Sequence, residues 1–332
     1  MNKVDKIFHI ADIHIRNLKR HKEYRKVFSN LYKEIKSRKT DNSLIVVAGD
    51  IAHSKTDMSP ELVDMVNEFF TNLTKLSPTI IITGNHDCNL NNTYRLDVLS
   101  PIVESLNNKK LHYLKDSGVY NFGDVDFVVW SIYDEEENYI KAKDVDSDNK
   151  KIGLYHGPVN SARTDAGFSI YNNKVTVDMM EGFDMFLLGD IHSFQYLNDE
   201  ETIAYPASLI QQNHGENLNG HGMLVWDVET KQSEFVEIEN EYGYYTLDVV
   251  DGKVPVVTDM PKKPRLRVKI TNTDSADLKT ALKEIRKKYK VDEFTIIRTD
   301  TLSKQKTGDR ENSIHYENIQ NPEHQNGLIK DY

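Results

Sequence analysis

Ile7-Phe8-His9-Ile10-Ala11-Asp12-Ile13-His14 is an apolar strand run that stops at two side chains able to hold a metal, Asp12 and His14. Four further stretches repeat the pattern. Residues 44–53 (LIVVAGDIAH) present Asp50 and His53, and residues 80–87 (IIITGNHD) present Asn85, His86 and Asp87. Residues 152–157 (IGLYHG) present His156, and residues 186–192 (FLLGDIH) present Asp190 and His192. Short β-branched runs bounded by glycine and polar residues read as buried strands. Loops at the carboxyl ends of such strands converge on one edge of an α/β sheet, so distant residues can share one site. A lone Asp-x-His after a strand is more often a turn or a helix cap. Five strand ends closing in ligand-type side chains, with Gly49, Gly84 and Gly189 to allow tight turns, point instead to a metal site.

The single cysteine, Cys88, rules out an internal disulfide framework and a thiolate zinc site. Oxygen and imidazole ligands suit Mn²⁺, Fe²⁺ or Zn²⁺. The collection is too large for one ion. Two ions about 3.5–4 Å apart need a bridging carboxylate, and together they activate water while neutralising charge on a phosphoryl oxygen. Hydrolysis of a phosphate ester is therefore the expected reaction class.

Outside the strand ends, Tyr24, Val27, Phe28, Leu31, Tyr32 and Ile35 recur at helical spacing and predict a helix over 23–36. Ser59 and Pro60 form an N-cap and first-turn pair ahead of the stripe Leu62, Met65, Val66, Phe69, Phe70, Leu73. Strands alternating with helices imply an α/β layered fold. From about residue 202 strand follows strand (202–205, 223–228, 233–238, 244–250), which reads as a second sheet packed on the first. A linker with Pro255, Pro261 and Pro264 leads to a small β-α-β unit: strand 265–270, a helix carrying Leu278, Leu282, Ile285 and Tyr289, and strand 294–298. The expected division is 1–240, 241–300 and a polar, loosely ordered tail over 301–332.

The 332 residues carry a formal charge of −10, which argues against a polyanionic partner until its distribution is considered. Residues 1–40 hold twelve Lys/Arg against four Asp/Glu, and residues 261–290 eleven against three. Solvated helix faces account for such runs as readily as a DNA-facing surface does. The N-terminus lacks the apolar run of a signal peptide and no stretch approaches a membrane span, so an intracellular, soluble, non-secreted protein is expected. His9 and His112 read as packing or surface residues. His214 and His221 fall in a Gly/Asn-rich loop, residues 134–137 form an acidic loop, and Tyr242, Tyr244 and Tyr245 suit a strand as well as a base-stacking surface.

The succession Asp12-x-His14, Gly49-Asp50-x-x-His53, Gly84-Asn85-His86-Asp87, His156-Gly157 and Gly189-x-x-His192 resembles that of the calcineurin-like metallophosphoesterases. Within them, its order and the added β-α-β unit look like the SbcD-type nuclease subunit of double-strand-break repair, including versions encoded by large phages. The resemblance implies a two-sheet α/β/β/α sandwich with a small β-α-β capping domain. Asp12, His14 and His192 would hold one metal, Asp50 would bridge, and Asn85, His156 and Asp190 would hold the second. His86 would act on the phosphate and His53 would orient the site, with Asp87 a supporting or turn residue. The usual last motif is Gly-His-x-His. Asp190 replaces its first histidine, which need not inactivate the site but favours Mn²⁺ or Mg²⁺ over softer ions.

The implied activity is metal-dependent exo- and endonuclease action on double-stranded ends and single strands. The alternatives are a small-molecule or nucleotide phosphodiesterase and a non-catalytic DNA-bridging subunit. Lys283, Arg286 and Lys287 are the candidate DNA contacts. The implied partner is an SMC-like ABC ATPase, which in this family docks on a helix beyond the cap. None is legible before Tyr332, so docking uses either a segment outside this sequence or another surface. A homodimer through 61–75 and 94–107 is also implied, as is a cytoplasmic or nucleoid location, in a host cytoplasm if phage-encoded.

Overall fold

The computed structural model describes residues 3–165 and 167–299; the expected tail over 301–332 lies outside the described residues. The chain opens with β1 (Lys6–Ile10), α1 (His21–Arg38), β2 (Ser43–Ala48), α2 (Pro60–Leu76), β3 (Thr79–Ile82), α3 (Leu99–Leu106) and β4 (Leu111–Tyr113). It continues through β5 (Gly118–Phe122), β6 (Val125–Trp130), β7 (Lys150–His156), β8 (Met185–Gly189), β9 (Gln195–Tyr196) and β10 (Ile203–Tyr205). Then come β11 (Gly222–Asp227), β12 (Ser233–Glu237), β13 (Tyr242–Val250), β14 (Lys263–Thr271), α4 (Ser275–Lys288) and β15 (Glu293–Arg298).

These strands form two six-stranded sheets, β12-β11-β1-β2-β3-β4 and β5-β6-β7-β8-β10-β9, and a three-stranded sheet, β13-β14-β15. The first two lie face to face. Alternation along β2 shows how one strand serves two layers: Leu44, Val46 and Ala48 enter the core between the sheets with Phe127, Leu154 and Leu187. Ile45 and Val47 point the other way and pack under the helices. There Phe28 of α1 meets Phe69 of α2, ring centroids 4.4 Å apart. Ser59 caps α2 as expected, its Oγ accepting from Leu62 N at 3.3 Å with Pro60 at the first helical position. The outer face of the second sheet carries Trp130, Tyr155, Phe186 and Leu188. Its cover is thin, built from loops and three single 3-10 turns at Glu136–Asn138, Ala142–Asp144 and Val177–Met180. The α/β/β/α sandwich is thus the observed architecture, with that last layer reduced to turns.

One expectation needs correction. The strands after residue 202 do not make a single second sheet. β10 joins the second sheet parallel to β8, β11 and β12 extend the first sheet antiparallel beyond β1, and β13 belongs to the third. The reason is visible in β11. Met223 and Val225 face the helices, while Leu224 and Trp226 face the inter-sheet core. A strand apolar on both faces needs a position buried on both, and the open flank of β1 supplies it.

The third sheet is parallel throughout, and α4 covers it with Ala281 and Ile285. Asp274 caps α4, accepting from Ala276 N and Asp277 N at 2.8 Å each. This unit is tied to the sandwich by Arg265 of β14. Its buried guanidinium pairs with Glu23 of α1 at 2.7 Å, and Glu23 also binds Arg20 at 2.8 Å.

Candidate metal centre

The carboxyl ends of β1, β2, β3, β7 and β8 deliver all five loops to one edge of the sandwich, and the backbone there is bent to aim them. Asp12, His14, Asp50 and Asp190 all have positive φ, at 54°, 49°, 55° and 103°. Such conformations cost free energy in non-glycine residues and gather at functional sites. Gly189 could be nothing else. A Cβ there would lie 2.0 Å from the carbonyl oxygen of Ala48 and 2.7 Å from His156 Nδ1, because the two sheets touch at this point.

Asp12, His14, Asp50 and His156 are almost wholly buried. Asp50 stands between two imidazoles, Oδ2 3.5 Å from His14 Nε2 and Oδ1 3.4 Å from His156 Nε2. His14 Nε2 and His192 Nε2 are 3.1 Å apart, and Asp12 Oδ1 is 4.0 Å from His192 Nε2. Asp190 Oδ1 lies 3.4 Å from Asn85 Nδ2 and 3.9 Å from His156 Nε2, and its N–H donates to both Asp12 oxygens at 3.1 Å. Ligand-type atoms of Asp12, His14 and His192 lie within 4.8 Å of one another, as do those of Asp12, Asp50 and His156 and those of His14, His53 and His86.

The ring nitrogens show that these side chains fit a metal. His156 Nδ1 donates to the Ala48 carbonyl at 2.7 Å, which turns the Nε2 lone pair into the site, where the buried atom has no hydrogen-bond partner. His192 Nδ1 donates to Glu216 Oε1 at 2.9 Å, which turns its Nε2 toward that of His14, 3.1 Å away. Two imidazole nitrogens this close, beside buried carboxylates, need a proton or a metal cation between them, and a metal takes the place of the proton.

The sequence profile of the calcineurin-like phosphoesterases matches residues 5–250. The chain belongs to that family. Similarity extends to a protein of Acanthamoeba polyphaga mimivirus, 45% identical over 300 residues, covering 87% of this chain and 22% of the viral protein. The chain therefore spans about a fifth of that relative's length. The SbcD component of the SbcCD nuclease of Staphylococcus epidermidis is 26% identical over 308 residues, 82% of this chain and 74% of that component. A protein of Invertebrate iridescent virus 6 bearing a phosphoesterase name is 26% identical over 245 residues, covering 70% and 76%.

For a calcineurin-like phosphoesterase, which uses divalent metals, the seven ligand candidates read from the sequence come together. The two catalytic candidates sit at the rim. His86 Nδ1 donates to the His53 carbonyl at 2.7 Å, its backbone N–H donates to Asp50 Oδ1 at 2.8 Å, and its ring stacks on that of His53 with centroids 5.5 Å apart. Both line an open cleft of about 600 Å³ with Lys55 and Leu90. A second cleft, about 430 Å³, opens on the far side of Asn85 past His156 and Asp190. Asp87 is buried and accepts from Ala52 N and Gly84 N, holding the turn. His9 is a core residue bonded to the Leu188 carbonyl, and His112 packs edge-on to Phe122.

Lys283, Arg286 and Lys287 lie exposed on α4, well apart in sequence from the metal-site loops. The N-terminal basic run is partly consumed inside the protein, where Arg20 is buried in its ion pair with Glu23. Tyr242 and Tyr244 are strand residues whose rings lie against guanidinium groups. Two acids went unread: Glu216, and Asp165, whose Oδ2 is 3.7 Å from His192 Nδ1. Each sits in a polar loop without periodicity, so nothing local marks it. Among the described residues no helix is long and apolar enough to cross a membrane.

Burial dominates the electrostatics. It pushes the Asp12 carboxyl up to about 7, against the opposing pull of His156 and His192. Burial would lower His192, but the hydrogen bond to Glu216 and the charge of Asp12 outweigh it and raise the imidazole to about 9. Burial would also raise Asp50, yet His156 and His14 hold it below the usual carboxylate range. In the metal-free protein Asp12 and His192 both bind protons more tightly than in the unfolded chain. Their contribution to stability is present at low pH and is lost as pH rises, through about 7 for Asp12 and about 9 for His192. A metal must displace both protons. Between pH 6 and 9 the melting temperature in EDTA should therefore fall, and the increment produced by saturating Mn²⁺ should grow. Thermal melts at matched ionic strength check this, and an increment independent of pH would contradict it.

Proposed function

We propose that this chain is a metal-dependent DNA nuclease of the double-strand-break repair type. The observation that carries the reading is that buried Asp50 lies between His14 and His156, beside a cleft walled by His86. In this reading Asp12, His14 and His192 would hold one ion, Asn85, His156 and Asp190 the other, with Asp50 serving both. Metal ions there would supply Lewis acidity, lowering the pKa of water and offsetting charge on the phosphoryl oxygens; Mn²⁺ fits the donor set best, with Mg²⁺, Fe²⁺ and Zn²⁺ as alternatives. The carbonyl of His53 holds His86 Nδ1–H, so Nε2 is the atom left to meet the phosphate, where the doubly protonated ring would give its Nε2 proton to the leaving oxygen or stabilise its charge.

DNA is favoured over a small phosphoester by three features: the likeness to the S. epidermidis nuclease component, the exposed cations of α4, and the hairpin at residues 160–175. That hairpin is braced by Ser161 N to Ile170 O and Ile170 N to Ala162 O, both 2.8 Å. It presents Phe168 and Tyr171, 73% and 75% exposed, beside the loop residues that line the second cleft, and exposed aromatic rings stack on single-stranded bases. An SMC-like ATPase partner and a homodimer through α2 and the 94–107 segment, of which only Leu99–Leu106 is helical, belong to the same proposal. The second reading, a nucleotide or small-phosphodiester hydrolase, draws on the modest size of the clefts.

His86→Asn should lower turnover of a linear oligonucleotide about 100-fold or more while leaving metal content and DNA affinity intact. Steady-state kinetics with elemental analysis decide it, and unchanged turnover would remove His86 from the chemistry. Replacing Lys283, Arg286 and Lys287 together by Glu should weaken duplex binding and flatten its dependence on salt, with hydrolysis of bis(p-nitrophenyl) phosphate unaffected. Equal binding across a salt series would return α4 to a solvated face, and hydrolysis of the small diester without any action on DNA would favour the second reading.

A further inference from the structure

Behind His192, on the side away from Asp12, the buried carboxylate of Glu216 is occupied on both oxygens. Oε1 accepts from His192 Nδ1 at 2.9 Å and from Asn213 Nδ2 at 2.8 Å, and Oε2 accepts from Gln212 N at 2.7 Å. A carboxylate held in this way selects the tautomer of the imidazole and its ring angle. The loop that carries Glu216 is itself clamped from outside the sandwich. Gln211 Oε1 accepts from Tyr244 N of β13 at 2.6 Å, and Gln211 Nε2 donates to Tyr244 O at 3.2 Å and to Glu216 O at 3.0 Å. The Gln211 carbonyl accepts from Arg20 Nη2 at 2.7 Å. Arg20 in turn shares Glu23 with Arg265 of β14. The Tyr244 ring lies against both guanidiniums, 5.3 Å from Arg20 and 5.4 Å from Arg265.

We propose that Glu216 is a positioning residue for His192, and that the β13-β14-α4-β15 unit holds Glu216 in place through Gln211. The unit that carries the exposed cations of α4 is thereby connected to one candidate metal ligand by a partly buried chain of hydrogen bonds, each 3.2 Å or shorter. Displacing the unit, as a bound macromolecule would, moves Gln211 and turns His192. This role for Glu216 rests on the reading of His192 as a metal ligand.

The test is Mn²⁺ titration of the full chain by calorimetry, with wild type, Glu216→Ala, Glu216→Gln and Gln211→Ala, alongside melts in EDTA. Loss of such an outer carboxylate costs about 10–100-fold in metal affinity. Glu216→Ala should weaken one of two sites by that factor and leave the other unchanged. Glu216→Gln, whose amide oxygen still accepts from His192, should recover part of the loss. Gln211→Ala should shift the same site several-fold, although it touches no ligand. If Glu216→Ala does not fold, the Gln variant and Gln211→Ala carry the comparison. Two sites of wild-type affinity in the Glu216 variants overturn the positioning role, and an unshifted Gln211→Ala overturns the link to the C-terminal unit. A wild-type chain that binds no Mn²⁺ overturns the metal reading itself.

Discussion

Two carboxylates, Asp12 and Asp50, are buried side by side where the two sheets touch, and the rest of the site follows from that. Ionised groups withdrawn from water need compensation. Here it comes from imidazoles arranged around them: His156 and His14 against Asp50, His192 against Asp12. The imidazoles are oriented by outside acceptors, Ala48 O for His156 and Glu216 for His192, so that Nε2 of each faces inward. Protonated, those nitrogens compensate the carboxylates; freed of the proton, they offer lone pairs to a metal. That is the arrangement of a ligand cage, and it explains why four of its residues tolerate left-handed backbone.

Much of this was legible because each parallel strand announces its own end. An apolar run buried on both faces has to stop where the sheet meets solvent, and Asp12, Asp50, Asn85, His156 and Asp190 stand at those stops. α1 and α2 were equally plain, since their stripes recur at helical spacing and Ser59-Pro60 marks a start. Strand partnership was not plain. Nothing in residues 222–227 says that β11 lies against β1 more than two hundred positions earlier, because pairing is decided by which sheet edge remains uncovered. The same holds for β13, whose partner is β14 across a proline-containing linker and whose Tyr244 serves the joint with Arg20 at the start of α1 rather than an open surface.

Glu216 marks the limit of local reading. It follows Gln211, Gln212 and Asn213 in a loop with neither strand nor helix periodicity, and its partner His192 is 24 positions upstream. Only the fold brings them together. Asp190 shows the complementary case: the sequence flagged it as a departure, and its geometry explains how the substitution is accommodated. With φ at 103° and its N–H bonded to both oxygens of Asp12, it occupies a strained corner of the backbone that aims its side chain into the site. Its carboxylate approaches both Asn85 and His156, the two other candidates for the same ion.

Everything proposed for this site depends on two metal ions sharing Asp50. Elemental analysis and Mn²⁺ titration of the wild-type chain and of Asp50→Ala measure this directly. Two ions per wild-type chain, with both sites weakened together in the variant and hydrolysis abolished, is the outcome the shared carboxylate requires. Two ions still bound at wild-type affinity in Asp50→Ala would contradict it.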